Sequence, residues 1–404
     1  MSAPSAPPLK LLPLILANAA CMMAMNAFIA LLAPLARTLA LNEWQAGASV
    51  TVAGVLWFLL ARPWGRLSDR WGRKRVIATG IAGFAAAYLA LAAGIHWALL
   101  TLPGTLAGFL LLLAGRGAIG AFYAAIPAAA NAMIADRTPL DRRAAAMATL
   151  GASSAIGLVL GPSLAGWLVG GGLVLPLYAM AGLAVVALIV AIYGLPGGDA
   201  PLAPRDATPV RMRDPRLRMP VVVALVAMGS VAIAQICVGF YAMDRWGLSR
   251  EHAGRVAGYA LTAVGVALIA AQVGVRRLQW PPHVLIRRGA VVAMLGFLVA
   301  GFTAAPWQLI ASYFVMALGM GLVFPAFSAM AANAVAAHEQ GTVAGTVSAA
   351  QGIGMVLGPL AGTLLYGIAP AVPFVVGALM LASIAFWVGT AREPAVARPA
   401  DEAA

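Results

Sequence analysis

The stretch Gly65-Arg66-Leu67-Ser68-Asp69-Arg70-Trp71-Gly72-Arg73-Lys74-Arg75 is the most densely charged part of this sequence, and it lies between two long apolar runs. It holds five basic residues and one carboxylate. Its two glycines suit a tight turn, because glycine adopts backbone angles that a Cβ forbids. The pattern predicts a short charged hairpin between two membrane-spanning helices.

The composition of the whole chain places it in a lipid bilayer. Of its 404 residues, 62% are hydrophobic and 10% are charged, which excludes a water-soluble globule. The net charge of +13 comes from arginines clustered between apolar runs, so membrane topology explains it and nucleic acid is not an expected partner. Cys21 and Cys237 lie in apolar runs without disulfide or metal-ligand spacing. Neither a metal nor a cofactor is predicted.

Twelve apolar runs are long enough to cross a membrane, which takes about 20 residues for a helix. A polar, Pro-rich linker at 196–218 divides them into six and six, with cytoplasmic tails at 1–10 and 391–404. We therefore predict an all-α membrane protein with an N-terminal bundle at 11–195 and a C-terminal bundle at 219–390. The predicted spans are 11–36, 46–64, 76–94, 104–135, 144–169, 174–195, 219–243, 252–275, 284–304, 307–336, 343–367 and 371–390.

The basic residues predict how these spans are oriented. Cytoplasmic loops of membrane proteins carry an excess of Lys and Arg. With both termini and Asp69 in the cytoplasm, 21 of the 26 basic residues lie on that side. We therefore expect a multi-pass protein of a bacterial-type inner membrane with both termini cytoplasmic.

The charged hairpin resembles the signature of the loop between helices 2 and 3 in the major facilitator superfamily of secondary transporters. The resemblance covers nearly the whole chain and implies two pseudo-symmetric bundles of six helices, alternating access and a functional monomer. It implies that Asp69 faces the N-terminus of a helix in the second half, whose dipole favours an anion, and so holds one conformer closed. The resemblance also implies an ion pair between Arg73 and Asp136 that would help to hold this conformer closed. Alone it would contribute about 0–1 kcal/mol. The implied gating residues at this face are Gly65, Asp69, Arg70, Gly72, Arg73, Lys74 and Asp136.

The two halves of the chain contain matching segments. Residues Ala155–Pro162 align with Gly352–Pro359 at an offset of 197, and Ala129–Ala132 align with Ala331–Ala334 at an offset of 202. Two matching helix pairs in the same order indicate an internal duplication, as in transporters built from parallel repeats.

Closely spaced glycines followed by proline mark predicted spans 5 and 11. Glycines four residues apart allow close helix packing, and proline bends a helix. The span 5 pattern resembles the signature of the superfamily's antiporters, with one residue too many before Gly166, and so implies efflux by antiport. The alternative is that these residues only allow the helices to pack closely, because close packing needs the same residue types. The predicted conformational residues are Gly157, Gly161, Pro162, Gly358 and Pro359.

Arg116 is the one charge placed well inside a predicted span. A guanidinium in a membrane costs several kcal/mol unless it faces a wet cavity or a partner, so we predict a functional role. With Gly120 it fits the span 4 signature of the superfamily, which implies proton handling. Gly120, Tyr123 and Pro127 follow on one helical face, which we expect to line the central cavity. The alternative is an arginine that extends to the headgroups.

The acidic residues fit proton coupling less well. All thirteen fall in loops or at predicted helix ends. Many drug/proton antiporters of the superfamily carry a buried acid in helix 1, where this chain has Asn18 and Asn26. This departure weakens the case for proton coupling and for cationic drugs, because no buried carboxylate can exchange a proton for a cation. Asp244, at the end of span 7, is the best remaining candidate for a residue that couples transport to protons. The alternative is that Asp244 is an exposed loop charge beside Arg245.

Spans 1, 4, 7 and 10 line the central path in this fold, so the resemblance supplies a set of substrate-binding residues. The set mixes amides, aromatics and one cation, which suits amphiphilic organic molecules, including those with an anionic group for Arg116. The predicted residues are Asn26, Arg116, Tyr123, Gln235, Tyr241, Phe324 and Phe327.

The sequence favours a transporter over an enzyme. It has no H-E-x-x-H, C-x-x-C or P-loop pattern, so pumping would draw on an ion gradient. We predict proton-coupled efflux of a small organic molecule, either a drug or a metabolite. Two alternatives stay open. One is an importer or facilitator of a small metabolite, anionic or not, and the other is a membrane receptor that binds without transport.

Overall fold

The structure is a computed structural model that describes residues 11–102, 104–197, 214–335 and 340–390. Within these ranges the chain consists of α-helices joined by short turns and two 3-10 segments. The predicted tails and most of the linker at 196–218 lie outside the described residues. The domain boundaries at these places therefore stay predictions.

Twelve helical spans in the described residues are long and apolar enough to cross a membrane, which confirms the predicted all-α membrane fold. The first six spans are α1 (Leu11–Thr38), α2 (Glu43–Trp71), α3 (Arg73–Thr101), α4 (Thr105–Tyr123) with α5 (Ala125–Arg137), α6 (Leu140–Leu168) and α7 (Leu175–Gly194). The last six are α8 (Arg218–Trp246), α9 (Arg250–Leu278), α10 (Pro282–Gly301), α11 (Pro306–Asn333), α12 (Gln340–Tyr366) and α13 (Val372–Thr390).

The charged hairpin is shorter than the sequence predicts. Helix α2 continues to Trp71 and α3 begins at Arg73, so the turn is made by Gly72 alone, with φ 91°. Its amide donates to the Ser68 carbonyl, which closes the last turn of α2. Gly65 lies inside α2, so the prediction that it helps to form the turn is wrong.

The fourth span is two helices rather than one. Helix α4 ends at Tyr123 and α5 begins at Ala125, while Ala124 keeps helical angles of φ −52° and ψ −31°. Pro127 follows three residues later and cannot donate to the Tyr123 carbonyl, because proline has no N–H. The predicted single span at 104–135 is therefore interrupted at this point.

The two halves repeat one pattern of helix packing. In the first half, α1 packs on α6, α2 and α3 pack on α4, and α3 packs on α7. In the second half, α8 packs on α12, α9 and α10 pack on α11, and α10 packs on α13. These pairs correspond span for span, so the chain forms two pseudo-symmetric six-helix bundles, which we call the first and second bundle.

Helices α1 and α8 are more fully buried at one end than at the other. We call the two surfaces of the helix layer the Asp69 face and the Arg37 face, after a residue at each. Towards the Arg37 face, every residue from Ala30 to Ala36 of α1 and from Ala232 to Met243 of α8 is buried. Towards the Asp69 face, residues such as Met22, Leu225 and Met228 stay partly exposed. The two bundles therefore enclose α1 and α8 fully only in the Arg37 half.

The glycines at the bundle boundary show the same difference. In the Arg37 half, a Cβ at Gly54 would lie 2.8 Å from Val356, and one at Gly166 would lie 2.6 Å from the Gly258 Cα of the other bundle. In the Asp69 half, a Cβ at Gly151 or Gly352 would meet nothing within 4 Å. The bundles thus touch towards the Arg37 face and leave a cleft that opens at the Asp69 face.

Candidate functional site

An ion pair joins the two bundles at the Arg37 face. The Nη2 atom of Arg37 in α1 lies 2.8 Å from Oδ2 of Asp244 in α8, and 2.8 Å from Oε1 of Glu43 in α2. The Tyr366 hydroxyl of α12 donates to the same Asp244 oxygen at 2.9 Å. We call these four residues the Arg37 latch. In the described part of the chain, the pair of Arg37 with Asp244 is the one ion pair between the bundles.

Asp244 pairs with Arg37 of the other bundle and not with its neighbour in the sequence, Arg245. The guanidinium of Arg245 turns away, and its Nε donates to the Thr303 carbonyl at 3.0 Å. Asp244 is instead held by Arg37, and the two side chains are 32% and 35% exposed. Its role in proton coupling stays a prediction. Sequence reasoning missed Arg37, Glu43 and Tyr366, although opposite charges at the same-face ends of spans 1, 2 and 7 were a usable signal.

Two hydroxyl groups make further hydrogen bonds between the bundles below the latch. Thr51 of α2 donates to the Val356 carbonyl of α12 at 3.0 Å, and Thr262 of α9 donates to the Ser163 hydroxyl of α6 at 2.7 Å. A typical hydrogen bond contributes only about 0.5–1.5 kcal/mol net. Several weak contacts therefore hold the bundles together at this face, and each can break and form again at low cost.

The charged hairpin at the Asp69 face forms its own network. Arg73 Nε donates to Asp136 Oδ2 at 2.9 Å, so the structure contains the ion pair that the resemblance implied. Arg73 Nη1 also lies 2.5 Å from Asp69 Oδ1 and donates to the Ser68 hydroxyl. All of these groups belong to α2, α3 and α5 of the first bundle. Asp69 pairs inside its own bundle here, as expected when the bundles are apart at this face, and its gating role stays a prediction.

The remaining hairpin residues lie at the helix ends that flank Gly72. Arg70 is in the last turn of α2, where a cation interacts favourably with the helix dipole. Lys74 is in the first turn of α3. The structure thus brings the predicted gating residues of this face together around one turn, apart from Gly65.

Arg116 is buried inside the first bundle. Its side chain is 1% exposed, and its guanidinium carbon lies 4.7 Å from the centre of the Phe28 ring of α1. Its Nε and Nη1 atoms have no hydrogen-bond partner among the described residues, nor has the buried hydroxyl of Tyr88 in α3. A cation over an aromatic face gains roughly 2 kcal/mol or more when desolvated, which offsets part of the burial cost. Arg116 does not extend to a membrane surface.

The helical face that Arg116 shares with Gly120 and Tyr123 is packed in this conformation. A Cβ at Gly120 would collide with the Ala53 carbonyl of α2. The Tyr123 hydroxyl donates to Met22 Sδ at 2.9 Å, and its ring meets the Trp57 ring edge-on at 5.2 Å. Pro127, the fourth residue of this face, is partly exposed. Contact of this face with a substrate stays a prediction.

The other predicted substrate residues are dispersed over both bundles. Asn26 donates to the Met22 carbonyl of its own helix at 2.9 Å, and Gln235 is buried in α8. Tyr241 donates to the Gly301 carbonyl at 3.0 Å, so it points into the second bundle, away from the boundary. Phe324 and Phe327 of α11 form an edge-on ring pair at 6.2 Å. The structure therefore does not gather this set on one wall.

The glycines of the repeated motif pack helices within each bundle. A Cβ at Gly157 or Gly161 of α6 would collide with α1 at Met22 or Met23. A Cβ at Gly358 of α12 would lie 2.5 Å from Ala232 Cβ of α8. These glycines therefore allow close packing of the helices within each bundle. Their part in a conformational change stays a prediction. Pro162 and Pro359 lie inside α6 and α12.

Comparison with known proteins agrees with this architecture. Residues 14–286 and 279–404 match the sequence profile of the Major Facilitator Superfamily. The chain is similar to the multidrug resistance protein MdtG of Salmonella paratyphi C (strain RKS4594), with 26% identity over 367 residues that cover 86% of this chain and 85% of that protein.

Two solved structures show the same fold. A mutant form of the nucleoside transporter NupG aligns with a TM-score of 0.71 and 14% identity over 94% of this chain and 98% of that one. A bacterial homologue of the human lysosomal transporter Spinster, in an inward-facing and occupied conformation, aligns with a TM-score of 0.69 and 15% identity over 94% of both chains. With a family match along almost its whole length, this chain belongs to the Major Facilitator Superfamily and is a multi-pass membrane transporter, not an enzyme.

Proposed function

We propose that the protein exports small organic molecules across a bacterial inner membrane by alternating access, driven by proton entry. The observation that carries the proposal is the uneven contact between the bundles, which are joined by the Arg37 latch and apart at the Asp69 face. A transporter of this kind must open to one side at a time. The similarity to a multidrug resistance protein supports export as the direction.

The basic residues support a cytoplasmic Asp69 face. Arg66, Arg70, Lys74 and Arg75 surround the α2–α3 turn, and the α9–α10 turn at the same face carries further arginines. This excess follows the positive-inside rule. The described conformation is then inward-facing, both termini are cytoplasmic, and a substrate enters the cleft from the cytoplasm or the inner leaflet.

The outward-facing conformation requires the Arg37 latch to open. The pair of Arg37 with Asp244 is about one-third exposed, so it contributes roughly 0.2–1 kcal/mol, as exposed pairs do. Such a contact biases the equilibrium between two conformers without trapping one of them. In the opposite conformer, the hairpin around Asp69 would approach the second bundle and take over the closing role.

The walls of the cleft suit amphiphilic organic substrates. Four methionines of α1 and α8, namely Met22, Met23, Met25 and Met228, are partly exposed near the level at which the bundles part. Methionine is flexible and polarisable, so it can adapt to ligands of different shape. The unpartnered Nε and Nη1 atoms of Arg116 favour an anionic group on the substrate if this side chain becomes accessible during the cycle.

Proton entry is proposed as the driving reaction, with Asp244 and Arg116 as the coupling residues. Protonation of Asp244 would remove the charge that holds Arg37. Glu43, Tyr366 and Arg245 are the other titratable or charged groups beside this pair. Acid at the Arg37 face would therefore favour opening there.

Transport by sealed membrane vesicles of both orientations tests the proposal. An exporter accumulates a fluorescent amphiphilic dye in everted vesicles, and an uncoupler abolishes the accumulation. Accumulation only in right-side-out vesicles would show import. Saturable binding without flux in either orientation would show a receptor. Either of these two results would overturn the proposal.

A further inference from the structure

A second pocket lies outside the cleft, on the second bundle near the Asp69 face. It has a volume of about 860 Å³, within the range of about 300–1,000 Å³ that is usual for ligand sites. We call it the α10 pocket, because α10 supplies much of its wall. Helix α10 packs on α11 and α13 of its own bundle, so this pocket faces away from the bundle boundary. Its lining includes Trp280, His283, Arg287, Arg288, Val291 and Val388.

Two neighbouring arginines give the α10 pocket a basic end. The guanidinium carbon of Arg288 lies 4.1 Å from the centre of the Trp280 ring, which holds the side chain in place without neutralising it. Arg287 lies against α13, where a Cβ at Gly389 would be 3.2 Å from its Nε. Both arginines are exposed, and neither pairs with a carboxylate in the described part of the chain.

Apart from His283, the rest of the pocket wall is apolar, and it runs towards the middle of the helix layer. Val284, Val291 and Val292 follow one another on α10 at helical spacing. Val284 lies on the surface side of the two arginines, and at a rise of 1.5 Å per residue Val292 lies about 6 Å deeper than Arg288. Leu322, near the middle of α11, extends this wall. The two arginines thus lie near the outer end of the pocket, and the wall between them and the middle of the helix layer is apolar.

We propose that the α10 pocket binds an anionic phospholipid of the adjacent leaflet. Arg287 and Arg288 would bind the phosphate of the headgroup, and an acyl chain would lie along Val291 and Val292 towards Leu322. Basic pockets between membrane helices bind such headgroups, and tryptophan is enriched at this level of the bilayer. The apolar depth of the pocket favours a lipid over a water-soluble organic phosphate.

Lipid binding to the purified full-length protein tests this site. Native mass spectrometry measures the affinity for dioleoyl phosphatidylglycerol and for dioleoyl phosphatidylcholine. Attraction to anionic lipid is worth about 1 kcal/mol per basic residue, so Arg288→Gln should weaken phosphatidylglycerol binding about five-fold. The matched control is Arg277→Gln, which removes an equal charge from an exposed residue near the same turn but outside the pocket lining. It should change the affinity less than two-fold.

A second variant and a competitor separate the lipid from other sources of phosphate. Val291→Trp fills the apolar wall without changing the charge and should also weaken phosphatidylglycerol binding about five-fold. Glycerophosphoglycerol, which is the headgroup without acyl chains, should compete at least a hundred-fold less well than the lipid. Equal effects of Arg277→Gln and Arg288→Gln, equal affinity for phosphatidylcholine, or full competition by glycerophosphoglycerol would each overturn the proposal.

Discussion

Arg37 and Asp244 lie 207 positions apart in the sequence, and their side chains meet at 2.8 Å across the boundary between the two bundles. Each has a second partner in its own bundle, Glu43 for Arg37 and Tyr366 for Asp244. When the bundles separate at this face, neither charge is left alone. This arrangement lowers the cost of opening, because each charged group keeps one polar contact.

Removal of the Arg37 charge should favour opening at the Arg37 face. Arg37→Ala removes a contact worth roughly 0.2–1 kcal/mol, so the population of the opposite conformer should rise about 1.4-fold to five-fold. The measurement is the rate at which a membrane-impermeant thiol reagent labels Thr51→Cys, at a position that is partly buried at the bundle boundary in this conformation. Cys21 and Cys237 are buried and should contribute little background.

The control for this prediction is an exposed arginine at the same face. Arg250→Ala removes an equal charge from the start of α9, where the described residues give it no ion pair. The labelling rate should stay at the unsubstituted value. Equal rates for Arg37→Ala and Arg250→Ala would show that the Arg37 latch has no influence on the conformational equilibrium.

A larger residue at Gly166 should keep the bundles apart at the Arg37 face. A Cβ there would lie 2.6 Å from the Gly258 Cα, and backbone cannot move aside as a flexible side chain can. We expect Gly166→Val to lower transport at least ten-fold while the protein still inserts in the membrane. The measurement is the initial rate of dye transport in vesicles, normalised to the amount of protein.

Gly182→Val is the matched control for this substitution. Gly182 lies on α7, where an added Cβ meets nothing within 4 Å. Its substitution should leave the transport rate within two-fold of the unsubstituted protein. If Gly166→Val were equally harmless, close contact of α6 with α9 would not be needed for the transport cycle.

Arg73 and Asp136 should stabilise the first bundle as a pair. Arg73 is buried, and hydrogen bonds to charged groups contribute about 1.5–3 kcal/mol. Arg73→Gln and Asp136→Asn should each lower the melting temperature of the purified protein, and the double variant should lose less than the sum of the two. Additive losses would mean that the pair has no coupling energy. Arg70→Gln, in the same hairpin, should have little effect.

The sequence predicted the spans because each is specified locally. A helix in lipid needs about 20 apolar residues in a row, and this signal does not depend on tertiary structure. The turn at Gly72 could be predicted for the same reason, since its positive φ is a property of one residue. The break at Ala124 was also available from Pro127, which removes one hydrogen bond of the helix.

The arrangement of the candidate site could not be predicted in this way. The face that a span turns to its neighbours depends on packing, and in a helix of small and apolar residues the sequence hardly marks that face. Tyr241 therefore looked like a cavity residue but donates to Gly301 inside the second bundle. The sequence does indicate that Arg37 and Asp244 lie at the same face, but their pairing depends on the closure of two bundles, which no local pattern encodes.

Replacement of Arg116 should separate its role in transport from a role in folding. Arg116→Met keeps much of the side-chain volume and removes a buried charge whose Nε and Nη1 have no partner in the described structure. Because an unpaired buried charge is costly, the melting temperature should stay equal or rise. Transport should nevertheless fall at least ten-fold if the guanidinium acts on the substrate or the proton. Unchanged transport in a fully inserted Arg116→Met protein would show instead that the arginine only packs against Phe28.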